Sequence, residues 1–393
     1  MKLVWLTAEI PYPPNTGGRI VMFKRIEYLS SRNEIFLYSI SDRKNEAIYR
    51  NDLLRYCKDV NLYCREGSFF SSLWGLTKGP YVCESRWFSR MMRDIDSCFD
   101  KLNPDFVIVD FPQMMGNISN RILSSGKVIL NQHNTEYVTL RNITSLYKSR
   151  FKRFIGRVES YRLEKYERSL YEKKLIKLFT FVSLEDKTFF EQRYNLSNTI
   201  LVPVGTEIRR IPFMKKDNFV ISYIGKMEYP ANAEAVIWFA ENVLKQLSDF
   251  IPSLKFYVVG KNPPPSVREL SMRYSNIIVT GTVESTEEYY QMSDVVVIPL
   301  FHGGGVKVKL LEALGYGKLV ITTSKGIEGT LFKNGKELIV ANNANEFIES
   351  CIDAYENPQN YNQISENGYK IIEEKYTWEA IIDEFEARLR SLI

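Results

Sequence analysis

Three glycines, two lysines and a glutamate fall within the ten residues Gly303 to Glu312, and no other stretch of this sequence is as well suited to chemistry. The segment Pro299-Leu300-Phe301-His302-Gly303-Gly304-Gly305-Val306-Lys307-Val308-Lys309-Leu310-Leu311-Glu312 follows the apolar run Val295-Val296-Val297-Ile298. A buried strand should therefore end, and an amphipathic helix begin, around a glycine turn. Glycine lets the backbone approach a ligand closely, the first amides of a helix lack internal partners, and the helix dipole favours an anion there. Such a turn suits phosphate. Lys309 adds positive charge, while Glu312, ill placed to face phosphate, can accept two hydrogen bonds from a sugar diol. The pair points to a ligand carrying both groups, a nucleotide sugar. The loop is neither a Walker loop, since no Gly-Lys-Ser or Gly-Lys-Thr occurs, nor a GxGxxG fingerprint. By itself a glycine run before a helix is also a common tight turn.

Two further places could join that chemistry. Ile224-Gly225-Lys226 reads as a strand end, a glycine turn and a cation, so Lys226 and Lys309 are expected at carboxyl ends of neighbouring strands. From there both could reach a diphosphate that gains charge as its bond to a sugar breaks. His133, one of two histidines, follows an apolar run and stands among Asn131, Gln132, Asn134 and Glu136. That setting suits a substrate-binding or orienting imidazole, and metal binding lacks partners. Asp110, before Phe111-Pro112, is its nearest acidic counterpart, although Asp at such a place is also a frequent turn residue.

Strands alternating with helices have to position these groups. In the first half the expected strands are 3–8, 35–40, 106–109, 127–130, 178–182 and 199–202. Helices are expected from about Arg19 to Ser30, from 147 to 176 and from Glu185 to Tyr194. In the second half strands are expected at 219–224, 255–259, 277–280, 295–299, 319–322 and 337–340, with helices starting near Ala231, Val267, Thr286, Val306, Gly326 and Ala344. This alternation predicts an α/β protein with mainly parallel sheets covered on both faces. Such sheets bind ligands beyond the carboxyl ends of their strands, which selects the Gly17-Gly18 loop, Asp110 and the segment around His133. The charged stretch Arg209 to Asn218, with Pro212, is the expected linker. It divides the chain into domains 1–208 and 219–372, and a terminal helix within 373–393, with Trp378 as a packing anchor, is expected to return to the first.

The 393 residues fit two domains better than one, and 45% apolar with 25% charged residues is the composition of a folded globular protein. A net charge of +5 permits attraction to phosphate or an anionic surface and does not call for nucleic acid. Cys57, Cys64, Cys83, Cys98 and Cys351 form no CxxC pair and no cluster with the histidines, which argues for free thiols in a reducing compartment and against zinc. The apolar start, interrupted by Glu9 and several prolines, is too short for a signal peptide or a membrane span, so a cytoplasmic protein is expected. Between residues 141 and 178 twelve Arg or Lys stand against four Glu. There Phe151, Phe154, Ile155, Val158, Tyr161, Leu163 and Tyr166 recur at helical spacing. Packing of that stripe on its own domain is the simpler expectation, and contact with anionic lipid at the inner membrane face is the alternative.

Taken together, several motifs resemble the nucleotide-sugar-dependent glycosyltransferases of family 4. They are Pro13-Pro14-Asn15-Thr16-Gly17-Gly18-Arg19, His133-Asn134-Thr135-Glu136, Gly225-Lys226-Met227 with Asn232, and Gly303 to Ala313 with Lys318, Val320 and Glu328-Gly329. The chain is most similar to the subset found in polysaccharide biosynthesis clusters. The resemblance implies a GT-B fold, two Rossmann-like domains facing across a cleft, and metal-independent transfer with retained anomeric configuration. It also implies a nucleoside-diphosphate sugar as donor, no cofactor, and a saccharide or lipid-linked acceptor. By the same resemblance Gly17, Gly18, Gly304 and Gly305 would approach the donor, Gly303 opening their loop. Lys226 would bind its phosphate, Glu312 its ribose, and His133 would lie near the transferred sugar. Two positions depart from the family pattern. Gly304 stands where the earlier glutamate of a pair is usual, and Asn232 where a lysine is usual, with Lys309 a candidate to supply that charge. A non-catalytic nucleotide-sugar-binding partner in a polysaccharide assembly complex, and a phosphorylase or epimerase, are the competing readings.

Overall fold

Runs of β-branched and aromatic residues, buried on both faces, form the strands in the computed structural model. It describes residues 1–41, 48–64, 79–145, 147, 149–210 and 218–393. The chain divides into two compact units, Met1–Pro203 with Ile382–Ile393, and Val204–Ile381. Of the expected linker, residues 211–217 lie outside the described residues, as does Lys148 of the basic segment.

In the first unit the described strands are β1 (Lys2–Thr7), β2 (Glu34–Ser41), β3 (Asp59–Cys64), β4 (Phe106–Asp110), β5 (Val128–Gln132), β6 (Leu178–Phe181) and β7 (Thr199–Leu201). They form one sheet in the order β3-β2-β1-β4-β5-β6-β7. Every pairing is parallel, with Leu3 opposite Phe106 and Asp110 opposite Asn131. Parallel neighbours need crossovers that cover both faces, which is why Leu3, Val4, Trp5 and Leu6 are all fully buried. The chain moves outward from β1 to β3, then returns to lay β4 on the other side of β1. A crevice is expected at that reversal, beyond the carboxyl ends of β1 and β4.

The second unit repeats the plan with β8 (Val220–Ile224), β9 (Lys255–Val259), β10 (Ile277–Gly281), β11 (Val295–Ile298), β12 (Leu319–Thr322) and β13 (Ile339–Val340). Among the described residues the order is β10-β9-β8-β11-β12-β13, again parallel throughout. Its reversal lies between β8 and β11, whose carboxyl ends lead into Gly225-Lys226 and into the Gly303–Gly305 loop.

Most expected elements are present within a residue or two. The helix expected near Gly326 is absent. Gly326 N–H instead closes a turn onto Thr323, accepting partners being its carbonyl (2.9 Å) and Oγ1 (3.1 Å), and Gly329 and Gly335 take φ of 79° and 74°. Those conformations interrupt any helix. β3 and the helix Ser89–Leu102 add to the expected elements, and the long basic helix runs Arg150–Glu172 rather than 147–176. The C-terminal helix Trp378–Arg390 buries Trp378, Ile382, Phe385 and Leu389, and its end is tied within the first unit by Arg32 to Asp383 (2.5 Å) and by Asn33 Nδ2–H to Glu386 Oε1 (3.1 Å). Among the described residues no helix is long and apolar enough to cross a membrane.

Candidate active-site residues in each unit

At the end of β4 in the first unit, the Asp110 carboxylate is completely buried and accepts three hydrogen bonds. Trp5 Nε1–H donates to Oδ2 (2.5 Å), Asn131 Nδ2–H to Oδ1 (2.7 Å), and His133 Nε2 lies 3.1 Å from Oδ1. Asn131 is itself fixed by Thr180 Oγ1–H (2.7 Å), so two neighbouring strands brace the carboxylate. Burial works against its charge, but the His133 bond and charge, the Arg25 guanidinium and the Asn131 bond together hold its pKa below the usual value. An ionised Asp110 takes the hydrogen on Nε2 and leaves Nδ1 as the other working atom of the ring. The imidazole is also stacked on Phe111, centroids 4.2 Å apart at 18°. Phe111 holds φ at 73°, a conformation that costs a bulky residue about 1–3 kcal/mol. Hydrogen bonding and stacking thus fix His133 from two directions, and the structure joins it to Asp110.

Gly17 and Gly18 begin the helix Gly17–Ser30, two residues earlier than expected, after an N-cap at Thr16 whose Oγ1 accepts from Arg19 N–H (3.4 Å). A Cβ on Gly18 would touch Glu9 Oε1 at 3.4 Å, and one on Gly17 would meet nothing within 4 Å. Both stand beyond the carboxyl end of β1, next to the strand that ends in Asp110.

The second unit is built differently. Gly303 and Gly305 have φ of 100° and 73°, so the loop depends on glycine at both. All three glycines are exposed, and a Cβ on any of them would find open space. The helix Val308–Gly315 follows, with Lys307 as its N-cap residue, no side-chain cap and no acidic residue in its first turn. Lys307, which the sequence reading passed over, is buried and folds back to donate to the carbonyls of Gly305 (2.5 Å) and Gly303 (3.3 Å). It clasps the loop. The alternation Lys307-Val308-Lys309 at the expected helix start was the available signal.

Lys309 points across to β8. Its ammonium donates to Tyr223 Oη and Asn232 Oδ1, each at 2.6 Å, and lies 4.6 Å from the Tyr223 ring centroid. Burial, reinforced by the nearby Lys307 charge and opposed by Glu312, lowers its pKa to about 7. Asn232 also binds the Lys226 carbonyl through Nδ2–H (2.7 Å), which joins the Gly225-Lys226 turn to the lysine. A Cβ on Gly225 would stand 3.1 Å from Lys309 Nζ, and one on Gly260 would overlap the Gly225 carbonyl. Small residues are required here so that two strand ends and a lysine fit together. The Lys226 side chain is exposed, and its ammonium has no hydrogen-bond or ion-pair partner among the described residues. Glu312, one turn beyond Lys309, accepts from the buried Tyr290 hydroxyl at 3.2 Å. Burial raises its pKa, with the Tyr290 bond and Lys309 acting the other way. Tyr290 stacks on Tyr316, centroids 4.4 Å apart. Among the described residues no group of three His, Cys, Asp or Glu could hold a metal ion.

Two doubly wound parallel units, each with polar groups at the reversal of its strand order, define the GT-B class. Solved structures agree over the whole chain. Sucrose-phosphate synthase from Thermosynechococcus elongatus superposes with TM-score 0.63 at 14% identity, covering 100% of this chain and 99% of that one. Anabaena HepE in complex with UDP and glucose gives 0.61 at 15% identity, covering 100% of both. In sequence, residues 218–357 match the family described as glycosyl transferases group 1. An uncharacterised 44.6 kDa protein in the cps region of Klebsiella pneumoniae is 27% identical over 394 residues, which is 95% of this chain and 96% of that one. The chain has the GT-B fold, and its second unit is similar in sequence to the group 1 glycosyl transferases.

Proposed function

We propose that the protein is a family 4 enzyme that transfers a hexose from a nucleoside-diphosphate sugar to a saccharide or lipid-linked acceptor, with retention, during synthesis of a cell-surface polysaccharide. The observation that carries this reading is the arrangement in the second unit. An open glycine loop leads into an uncapped helix whose first turns bear Lys309 and Glu312, while Lys309 rests on neutral oxygens rather than on a carboxylate. A lysine held that way has no carboxylate competing for it, and a bound diphosphate would favour its protonated form. The relative from a cps region supports the pathway, and HepE, whose structure holds UDP and glucose, supports the donor class.

In this reading the helix amides and the Gly303, Gly304 and Gly305 backbone receive the diphosphate, and Lys226 and Lys309 neutralise it. Glu312 accepts from the ribose hydroxyls. Lys309 beside Asn232 supplies the charge that a lysine at position 232 would otherwise carry. The bond between the anomeric carbon and the diphosphate oxygen breaks. The acceptor oxygen bonds to the same face of that carbon, and its proton passes to the departing diphosphate. Stabilising charge on the leaving group is the main catalytic effect. Gly17 and Gly18 also serve the diphosphate, and His133, oriented by Asp110, contacts the transferred sugar. Free cysteines at all five positions fit a cytoplasmic setting.

A panel of UDP-, GDP- and ADP-sugars, incubated with saccharide and lipid-linked acceptors and followed by nuclear magnetic resonance, tests the proposal. The expected result is a glycoside with the donor's anomeric configuration from one base. Glu312→Ala should weaken binding of that nucleotide about tenfold to a hundredfold by calorimetry. Sugar release to phosphate would indicate a phosphorylase. Tight nucleotide binding without transfer would favour the non-catalytic partner, the reading to which Gly304 in place of a glutamate lends weight.

A further inference from the structure

The helix Arg150–Glu172 carries two apolar stripes, and among the described residues only one of them packs on the protein. At about 100° per residue, Gly156, Ser160 and Leu163 share one side, and that side is buried. It packs closely on the helix Glu136–Ser145, because a Cβ at Gly156 would overlap the Thr144 side chain and Ser160 Oγ–H donates to the Tyr137 carbonyl at 2.8 Å. The opposite side holds Phe151, Phe154, Ile155, Val158 and Tyr161. Of the seven residues expected to form one stripe, Leu163 and Tyr166 pack on their own domain, whereas among the described residues these five do not. Phe151, Phe154 and Tyr161 are 71%, 63% and 65% exposed.

The charge beside that stripe is of one sign. From Tyr137 to Val158 the sequence holds six Arg or Lys and no Asp or Glu. Arg141, Arg150, Arg153 and Arg157 converge with Ser145 and Phe154 around a concavity of about 440 Å³. Arg141 shares Glu164 at 3.5 Å, whereas Arg150, Arg153 and Arg157 have no hydrogen-bond or ion-pair partner among the described residues. Three unpaired guanidiniums held side by side repel one another, and aromatic rings left in water give up the gain of burial. Both costs are relieved by one kind of surface, which offers phosphates to the arginines and an apolar layer to the rings.

We propose that this face docks on a membrane leaflet rich in anionic phospholipid. Arg150, Arg153 and Arg157 hold headgroup phosphates, and Phe151, Phe154 and Tyr161 enter the boundary between headgroups and acyl chains. The inference deepens the proposed function by favouring a lipid-linked acceptor, and it rests on that reading only for the purpose of docking. None of these side chains belongs to the sites described above.

Co-sedimentation of the full chain with phosphatidylglycerol or phosphatidylcholine vesicles is the test. Binding is expected to phosphatidylglycerol, to weaken as salt is raised, and to be far weaker to phosphatidylcholine. Arg150→Gln, Arg153→Gln and Arg157→Gln combined should weaken it by about a hundredfold. Phe151→Ser with Phe154→Ser should weaken it at low and at high salt alike. Unchanged circular dichroism and thermal unfolding show that these variants are folded. Equal binding to both lipids, or parental binding by either variant, overturns the proposal. So does failure to bind vesicles together with self-association that the Phe variants abolish, which would make the face an interface between two copies. Vesicle binding by a protein with no affinity for any nucleotide would fault the transfer reaction and leave the docking surface standing.

Discussion

The polar groups at the strand ends of the two units are held in opposite ways. In the first unit Asp110 is wholly buried, all its partners are in place, and the imidazole it holds is also stacked on a strained Phe111. In the second, the glycine loop lies open and Lys226 reaches into solvent, and the cation Lys309 is held by a phenol and an amide. The first arrangement fixes one ring and has little capacity to respond. The second keeps positive charge available and spends none of it on a carboxylate partner. In the proposed reaction the rigid group would set the geometry of the sugar and the available cation would stabilise the charge that develops on departure.

Breaking the second arrangement should have the largest effect. In the proposed mechanism Lys309→Ala removes the charge that would act on the leaving group, and kcat/KM should fall about a hundredfold to a thousandfold. The effect should depend on pH. With its pKa lowered to about 7, the unliganded lysine loses its proton as pH rises through that value, so nucleotide affinity should decline from pH 7 upward. Lys309→Arg stays charged and should flatten the decline. The stability change has the opposite sign. Between about 7 and the usual lysine value of 10.5 the folded protein binds fewer protons than the unfolded chain. Stability contributed by this residue therefore rises with pH across that window, and Lys309→Met should abolish the rise in urea titrations. A Lys309→Ala enzyme with parental kcat/KM would remove the lysine from the mechanism.

A smaller effect is expected from Asp110→Asn, which leaves size nearly unchanged and alters what His133, Trp5 and Asn131 meet and the charge that faces the buried Arg25. One N–H donor would then face an amide N–H, costing about 1–3 kcal/mol of stability. Loss of ring orientation should lower kcat by about tenfold to a hundredfold. Asp110 acts through His133, so KM for the donor should hold while kcat falls. If KM rose and kcat did not, the carboxylate would serve the fold alone.

The parts of the second candidate site lie close together in the sequence, which is why they could be read from it as a group. The glycine turn, Lys309 and Glu312 follow one strand within a few residues, and Gly225-Lys226 announces itself as another strand end. What it could not show were partners brought in from a distance. Tyr223 and Tyr290 look like ordinary core aromatics until β8 and the residues before β11 place their hydroxyls against Lys309 and Glu312. The long basic helix failed for a different reason. Helical periodicity reports that a stripe exists and does not say which stripe meets the core. That was decided by Gly156 and Ser160, whose small size admits the neighbouring helix, and the larger side chains opposite were left outside. β3, with Asp59 and Asn61 inside it, lacks the apolar run that marked the other strands.

The smallest effect on the fold, and the sharpest probe of what the open loop does, is expected from Gly304→Glu. A Cβ at this position meets nothing within 4 Å, and Gly304 is not among the glycines with positive φ, so a side chain fits without strain. Stability should change by no more than about 0.5 kcal/mol, as for other exposed substitutions. Gly303 and Gly305, at φ of 100° and 73°, would not tolerate the same change as cheaply, which makes them an internal control. A carboxylate at 304 brings an acceptor to a loop that otherwise presents only backbone. If the loop faces the sugar, Gly304→Glu should alter the preference among sugars carrying the same nucleotide and leave the affinity for the free nucleotide nearly unchanged. If the loop faces the diphosphate along its whole length, the new negative charge should instead weaken free nucleotide and nucleotide sugar alike. Competition binding with both ligands separates the two outcomes, and the second would move the sugar away from Gly304.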